Sequence, residues 1–143
     1  MTGLAPHTAK IYSAVAALQC IQPYHLVGGT ALSLQINHRL SEDLDFCKWV
    51  NSSSAANAVS FREIEAELMQ VFSHVNINYL SFDHIDFRVY GVKVTFFNEV
   101  GYNVPEYEAV NIGNINCVPI HILCAMKIKT MFERTVFRDY YDV

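Results

Sequence analysis

The sequence predicts an α+β domain built on one mixed β-sheet, with helices packed mainly on one of its faces. Three observations lead there. Apolar residues recur at spacings of three or four in some stretches and of two in others, the marks of helix and strand. Three strand-like runs, VNINYLSF, IDFRVY and VKVTFFNEV, follow one another, giving the order helix, strand, helix, strand, helix, three strands, helix. With 52% hydrophobic and 17% charged residues in 143 positions, the chain can bury one real core, and the expectation is a single domain over residues 1–143.

Each element has a local reason. Residues 8–20 carry Ile11, Val15 and Leu18 at helical spacing, with Thr8 placed to cap the start and the helix ending before Pro23. Tyr24 to Val27 reads as a short strand feeding Gly28 and Gly29. Thr30 to His38 reads as a helix, with Leu32 and Ile36 four apart and Thr30 near its start. Asp43 to Phe46 alternates charged and apolar residues, the period of a strand with one exposed face. The stretch NSSSAANAVS is a polar, small-residue loop. Ser60 and Glu63 form a capping box before a helix that sets Phe61, Ile64, Leu68, Val71 and Phe72 on one face. The last two strand-like runs meet in a tight turn at Tyr90-Gly91. A Gly/Asn-rich loop and Pro119 then lead into IHILCAMKIKTMFER, which returns to helical spacing.

Composition limits the function classes. No apolar run approaches the roughly 20 residues that span a bilayer, and MTGLAPHTAK lacks the order of a signal peptide, so a soluble, cytoplasmic protein is expected. A net charge of −4 supplies no global basic field, so an RNA partner would need a local patch or a helper. Cys20, Cys47, Cys117 and Cys124 form no C-x-x-C pair and read as reduced, mostly buried thiols. The six histidines show no metal-binding spacing. A mean hydropathy of +0.17 leaves room for an exposed apolar patch.

The chemistry concentrates in residues 26–47, LVGGTALSLQINHRLSEDLDFC. Two glycines after a strand let the backbone turn sharply and approach a phosphate, and the helix that follows offers free N–H groups at its start. Asp43 and Asp45 stand two apart on a strand, so both project from one face toward a shared site. Two carboxylates that close call for a cation, and magnesium (or manganese), which takes oxygen ligands together with substrate phosphates, suits them. The bland readings are a plain turn at the glycines and solvated charges on an edge strand at the aspartates.

Thirteen residues separate Gly29 from Asp43, and that interval resembles the signature of the DNA polymerase beta-like nucleotidyltransferase superfamily. Within it, GGTALSLQINHRLSEDLDF is similar to the AbiEii/AbiGii toxin family of nucleotidyltransferases, in Gly28 to Leu32, in Arg39 with Ser41, and in Asp43 with Asp45. A second block, KIKTMFERTVFRDYYD, resembles the family at Lys127, Arg134, Arg138, Asp139 and Asp142. The resemblance implies a nucleotidyltransferase fold and transfer of a nucleoside monophosphate from a nucleoside triphosphate to an acceptor such as tRNA or another RNA, by a toxin restrained by a cognate antitoxin. It implies that Asp43 and Asp45 hold Mg2+ (or Mn2+), and that Gly28, Gly29, Thr30, Arg39, Ser41 and Lys127 contact the nucleotide. Asp139 would act as base or orienter near the attacking hydroxyl.

Two departures stand out. The superfamily places a third carboxylate on a following strand, where this chain has Thr95. Asp86 on the neighbouring strand is the substitute candidate for the metal, and Glu99 a less well placed one. Family members commonly run past the second block into a helical C-terminal region, whereas this chain ends at Val143. The alternatives are therefore a catalytically weak or inactive nucleotide-binding module of the same fold, and a transferase with a small-molecule acceptor.

Overall fold

The computed structural model describes residues 2–50, 58–100 and 106–133. Helix α1 (Pro6–Ala16) opens on Pro6, whose ring pre-sets the helical φ where no N–H is needed. The expected cap, Thr8, lies inside the helix instead: it is buried, and its hydroxyl donates to the Glu42 carbonyl at 2.6 Å. A 3-10 turn (Gln19–Ile21) leads to β1 (His25–Val27). Helix α2 (Gly28–Ile36) begins at the glycines rather than at Thr30, and ends where Asn37 turns left-handed with φ 50°. Strand β2 (Leu44–Val50) starts one residue after Asp43 and outruns the predicted stretch.

Helix α3 (Phe61–Val71) follows Ser60, but the predicted capping box is not formed, because the Ser60 side chain makes no cap bond. Ile64 and Leu68 are buried as expected, whereas Val71 is 50% exposed. The chain turns extended at Phe72, which enters the core in its place. Strands β3 (Val75–Leu80), β4 (His84–Val89) and β5 (Val92–Val100) occupy the three predicted runs. Tyr90 (φ 50°) and Gly91 (φ 79°) make the two-residue turn between the last two, both left-handed as a tight hairpin requires.

The predicted Gly/Asn-rich loop contains a hairpin that sequence reading missed. Strands β6 (Val110–Ile112) and β7 (Ile115–Cys117) flank Gly113 and Asn114, both at positive φ. A Gly-Asn pair between short apolar runs was the available signal. Helix α4 (Ile120–Glu133) follows.

The strands form one sheet in the order β3-β4-β5-β2-β1-β7-β6. It is mixed: β2 runs parallel to β5 and β1 parallel to β7, while the other neighbours are antiparallel. Register sorts the two faces. Leu26, Phe46, Phe96 and Ile85 lie in one row across four strands and are all fully buried. Phe46 and Phe96 stack with centroids 5.2 Å apart, in one cluster with Tyr12 and Val15 of α1 and Ile64 and Leu68 of α3. The next row, on the opposite face, is Val27, Asp45, Thr95 and Asp86. Strand alternation thus separates core from chemistry by a single residue step.

The room for an apolar patch is used at the β3 edge, where Ile77, Tyr79, Leu80 and the following Phe82 are all exposed. All four cysteines are free thiols, two buried and two half-buried. Among the described residues no helix is long and apolar enough to cross a membrane. Arg134, Arg138, Asp139 and Asp142, and residues 51–57 of the predicted loop, lie outside the described residues.

Candidate active site

Gly28 sits where β1 turns into α2, at φ +72°. A β-carbon there would meet strain from the left-handed backbone, and would stand 3.1 Å from Oδ2 of Asp45. Glycine therefore both makes the turn and lets the backbone lie against that carboxylate. The first-turn N–H groups of α2 have no intrahelical acceptor, so this end of the helix favours anions.

The segment before β2 is held from several sides. Ser41 N donates to Gly3 O at 2.9 Å, and Ser41 O accepts from Ala5 N at 2.8 Å. Thr8 binds the Glu42 carbonyl from α1. The Thr30 hydroxyl donates to the Asp43 carbonyl and lies 2.6 Å from Ser41 Oγ. Thr30 has one hydroxyl hydrogen, so the Ser41 hydroxyl is the donor between the two. These side chains tie α2 to the backbone of Asp43. Thr30→Val should cost about 1–3 kcal/mol, because it strands a buried carbonyl and a buried hydroxyl. Urea unfolding of Thr30→Val beside Thr30→Ser checks it, since serine keeps the donor.

One cavity gathers most of the residues singled out in the sequence. Gly28, Gly29 and Thr30 from the start of α2, Arg39 and Ser41 from the connection, Asp43 and Asp45 at β2, and Lys127 from α4 all line it. Lys127 is 8% exposed, so its ammonium is held within the protein rather than waving in solvent.

The electrostatics of this cavity bear hardest on Asp45. Burial, then the neighbouring Asp43 carboxylate, push the Asp45 carboxyl above its ordinary range, against the opposing pull of Lys93. A carboxylate pair strained in this way fits a divalent cation that takes one or two protein oxygens and completes its shell with phosphates and water. Among the described residues no three histidine, cysteine or carboxylate groups come close enough to hold an ion by themselves.

The raised pKa has a sign. The folded state keeps the Asp45 proton more tightly than the unfolded chain, so stability falls as pH rises from the ordinary carboxylate range through the folded value. Thermal unfolding in EDTA across that window should show the fall, and a divalent cation should reverse it by binding the ionised pair.

Residues 16–143 match the family model described as nucleotidyl transferase AbiEii toxin, type IV toxin–antitoxin system. The chain belongs to the AbiEii nucleotidyltransferase toxin family. An uncharacterized protein of Aquifex aeolicus (strain VF5) is 30% identical over 134 residues, spanning 90% of this chain and 60% of that one. The AbiEii chain therefore covers less than two thirds of that relative's length. The crystal structure of a protein from H. pylori assigned to the nucleotidyltransferases has a TM-score of 0.59 at 18% identity, over 97% of this chain and 67% of that one. That likeness is one of fold.

In this AbiEii chain the substitute acid, Asp86, is not in the cavity lining. It lies across Thr95 from Asp45 in the same row of the sheet. Its Oδ1 accepts from Thr95 Oγ1 at 2.8 Å and sits 2.8 Å from His84 Nε2. Burial pushes its pKa up, but the bonds from Thr95 and His84 outweigh that and hold the carboxyl below the usual range. Thr95 stands between two carboxylates with a single hydroxyl hydrogen to give. The structure thus brings Asp43 and Asp45 into one cavity and keeps Asp86 apart from it. Sequence reasoning missed the hydroxyl between the two aspartates and the N-terminal clamp on Ser41. The first was open to a register argument, and the second had no local signal.

Proposed function

We propose that this AbiEii chain transfers a nucleoside monophosphate from a nucleoside triphosphate to an RNA acceptor such as tRNA, as a toxin restrained by a cognate antitoxin. The reading is supported above all by the meeting, in one cavity, of the Gly28-Gly29 turn, the Asp43 and Asp45 carboxylates and the Lys127 amine from a distant helix. Family membership supplies the class of reaction.

On this reading the first-turn N–H groups at Gly28, Gly29 and Thr30 receive phosphate oxygens, and Lys127 and Arg39 add positive charge. Thr30 and Ser41 act chiefly by holding Asp43 in place, since their hydroxyl hydrogens are already engaged. Asp43 and Asp45 would hold Mg2+ (or Mn2+), which when bound supplies charge neutralisation at the attacked phosphate. Asp139 would accept the proton of the attacking hydroxyl. A bond forms from that oxygen to the α-phosphorus, the bridging bond to the β-phosphate breaks, and pyrophosphate leaves with the electron pair. Positioning and electrostatics carry most of the rate.

The test is pyrophosphate release from each nucleoside triphosphate, with magnesium or manganese, in the presence and absence of a tRNA pool. Release that requires RNA, with label transferred to it, is the expected result. Binding of nucleotide without release under every condition would favour the second reading, a nucleotide-binding module. That reading draws on Thr95 standing where the superfamily has an acid, and on Asp86 being engaged with His84 and Thr95. Release with a small hydroxylated acceptor but not with RNA would favour the small-molecule transferase.

A further inference from the structure

The two aspartates of the cavity are held by different means. Asp45 lies inside β2, where the ladder pairs it with Val27 on one side and Thr95 on the other. Asp43 stands one residue before the strand, and the ladder of β2 with β5 begins only at Leu44. Its backbone is fixed instead through three successive carbonyls. Ser41 O accepts from Ala5 N at 2.8 Å, Glu42 O from the Thr8 hydroxyl at 2.6 Å, and Asp43 O from the Thr30 hydroxyl. Ala5 and Thr8 belong to a strap, residues 3–8, that precedes the start of the family match at residue 16.

Gly3 completes the strap. Its carbonyl accepts from Ser41 N at 2.9 Å, in a parallel bridge that sets Leu4 beside Ser41. Its φ is +91°, and a β-carbon there would stand 2.5 Å from the Ser33 carbonyl oxygen and 2.8 Å from the carbonyl carbon, both backbone atoms of α2. That oxygen already accepts from Asn37 N at 2.7 Å, which holds it where it is. A side chain at position 3 therefore lifts the strap off α2 and draws the Gly3 carbonyl away from Ser41.

We propose, on the reading of Asp43 and Asp45 as a metal-binding pair, that this strap sets the geometry of the pair, with Gly3 and Thr8 as positioning residues. The sheet fixes where Asp45 points, and the strap fixes the backbone from which Asp43 projects. Neither Gly3 nor Thr8 lines the cavity, so both act through Asp43. Groups that orient metal ligands in this way typically carry roughly 10- to 100-fold in metal affinity.

Manganese titrated into the nucleotide-free protein, with the free ion read by electron paramagnetic resonance, tests the proposal without any catalytic step. Each titration is run well below the unfolding midpoint that the variant shows in EDTA. Gly3→Ala and Thr8→Val should each weaken manganese binding by about tenfold or more. Thr8→Ser keeps the donor to Glu42 and loses only a buried methyl group, so it should unfold at a lower temperature yet bind manganese within about twofold of wild type. A merely structural role would not separate those two readouts. Affinity within about twofold of wild type in folded Gly3→Ala and Thr8→Val overturns the proposal. An equal loss in Thr8→Ser and Thr8→Val also overturns it, by tracing the effect to packing. If Gly3→Ala does not fold, the two Thr8 variants decide. Asp43→Asn tests the underlying reading: if it keeps manganese affinity, the metal assignment fails and the proposal falls with it, whereas a loss there with none in the strap variants removes the proposal alone.

Discussion

Asp43→Asn and Asp45→Asn should each reduce nucleotidyl transfer by about a thousandfold or more. An amide has the shape of the carboxylate and none of its charge, and the charge is what would hold a divalent cation at the attacked phosphate. Charge stabilisation by such an ion is worth several kcal/mol, and each 1.36 kcal/mol is a factor of about ten in rate. Neither substitution should unfold the protein. The Asp43 contact that ties down its segment is made by the backbone carbonyl, which asparagine keeps. Asp45→Asn should raise the unfolding midpoint in EDTA at neutral pH, because burial and Asp43 make the ionised wild-type carboxylate unfavourable. It should also abolish the stabilisation that magnesium gives the wild type. Loss of transfer together with gain of apo stability separates a metal ligand from a structural acid. Transfer that survives Asp43→Asn would mean that the site is wrongly assigned.

Lys127→Met should lower kcat/KM by about 100- to 1000-fold, the range found when one preorganised charge or donor is removed from a developing anion. Methionine keeps most of the aliphatic stem, so packing changes little while the ammonium disappears. At 8% exposure the wild-type ammonium shares a buried cavity with the Asp43 and Asp45 carboxylates, so removing its charge leaves them less compensated and should leave stability level or lowered. Lys127→Arg should recover only part of the rate, because a planar fork presents its donors differently from a point charge. Single-turnover kinetics at subsaturating nucleotide, read beside thermal unfolding, measures both effects. Activity within threefold of wild type in Lys127→Met would transfer the phosphate-binding role to Arg39, the other cation on the cavity wall.

Part of this site was legible in the sequence because it depends on short-range geometry. Strand alternation puts Asp45 on the face opposite Phe46, and the register shows Phe46 fully buried while Asp45 opens on a cavity. Gly28 had to be glycine for a turn at φ +72°, and Tyr90-Gly91 for a two-residue hairpin. Where local rules competed with packing, they failed. Thr8 reads as a helix cap, yet it lies inside α1 and its hydroxyl binds the Glu42 carbonyl; Thr30 does stand in the first turn of α2, but its hydroxyl is taken by the Asp43 carbonyl, in a segment brought near only by folding. Ser60 and Glu63 have the pattern of a capping box, but the serine makes no cap bond.

By itself the sequence determined the elements other than the β6–β7 hairpin and the alternation that sets Asp45 opposite Phe46, both fixed by residues a few steps apart, while the pairing of glycine turn with aspartates was legible only through a thirteen-residue interval that resembles a family signature. The tertiary structure alone decided which distant groups meet there. Lys127 reaches the cavity because β7 pairs in parallel with β1, which starts α4 beside the end of the strand carrying the glycine turn. Asp86 stays outside it because β4 is one strand too far, with Thr95 between. Such placements follow from strand order and helix packing, which sum weak contacts over the whole chain and leave no mark at any single residue.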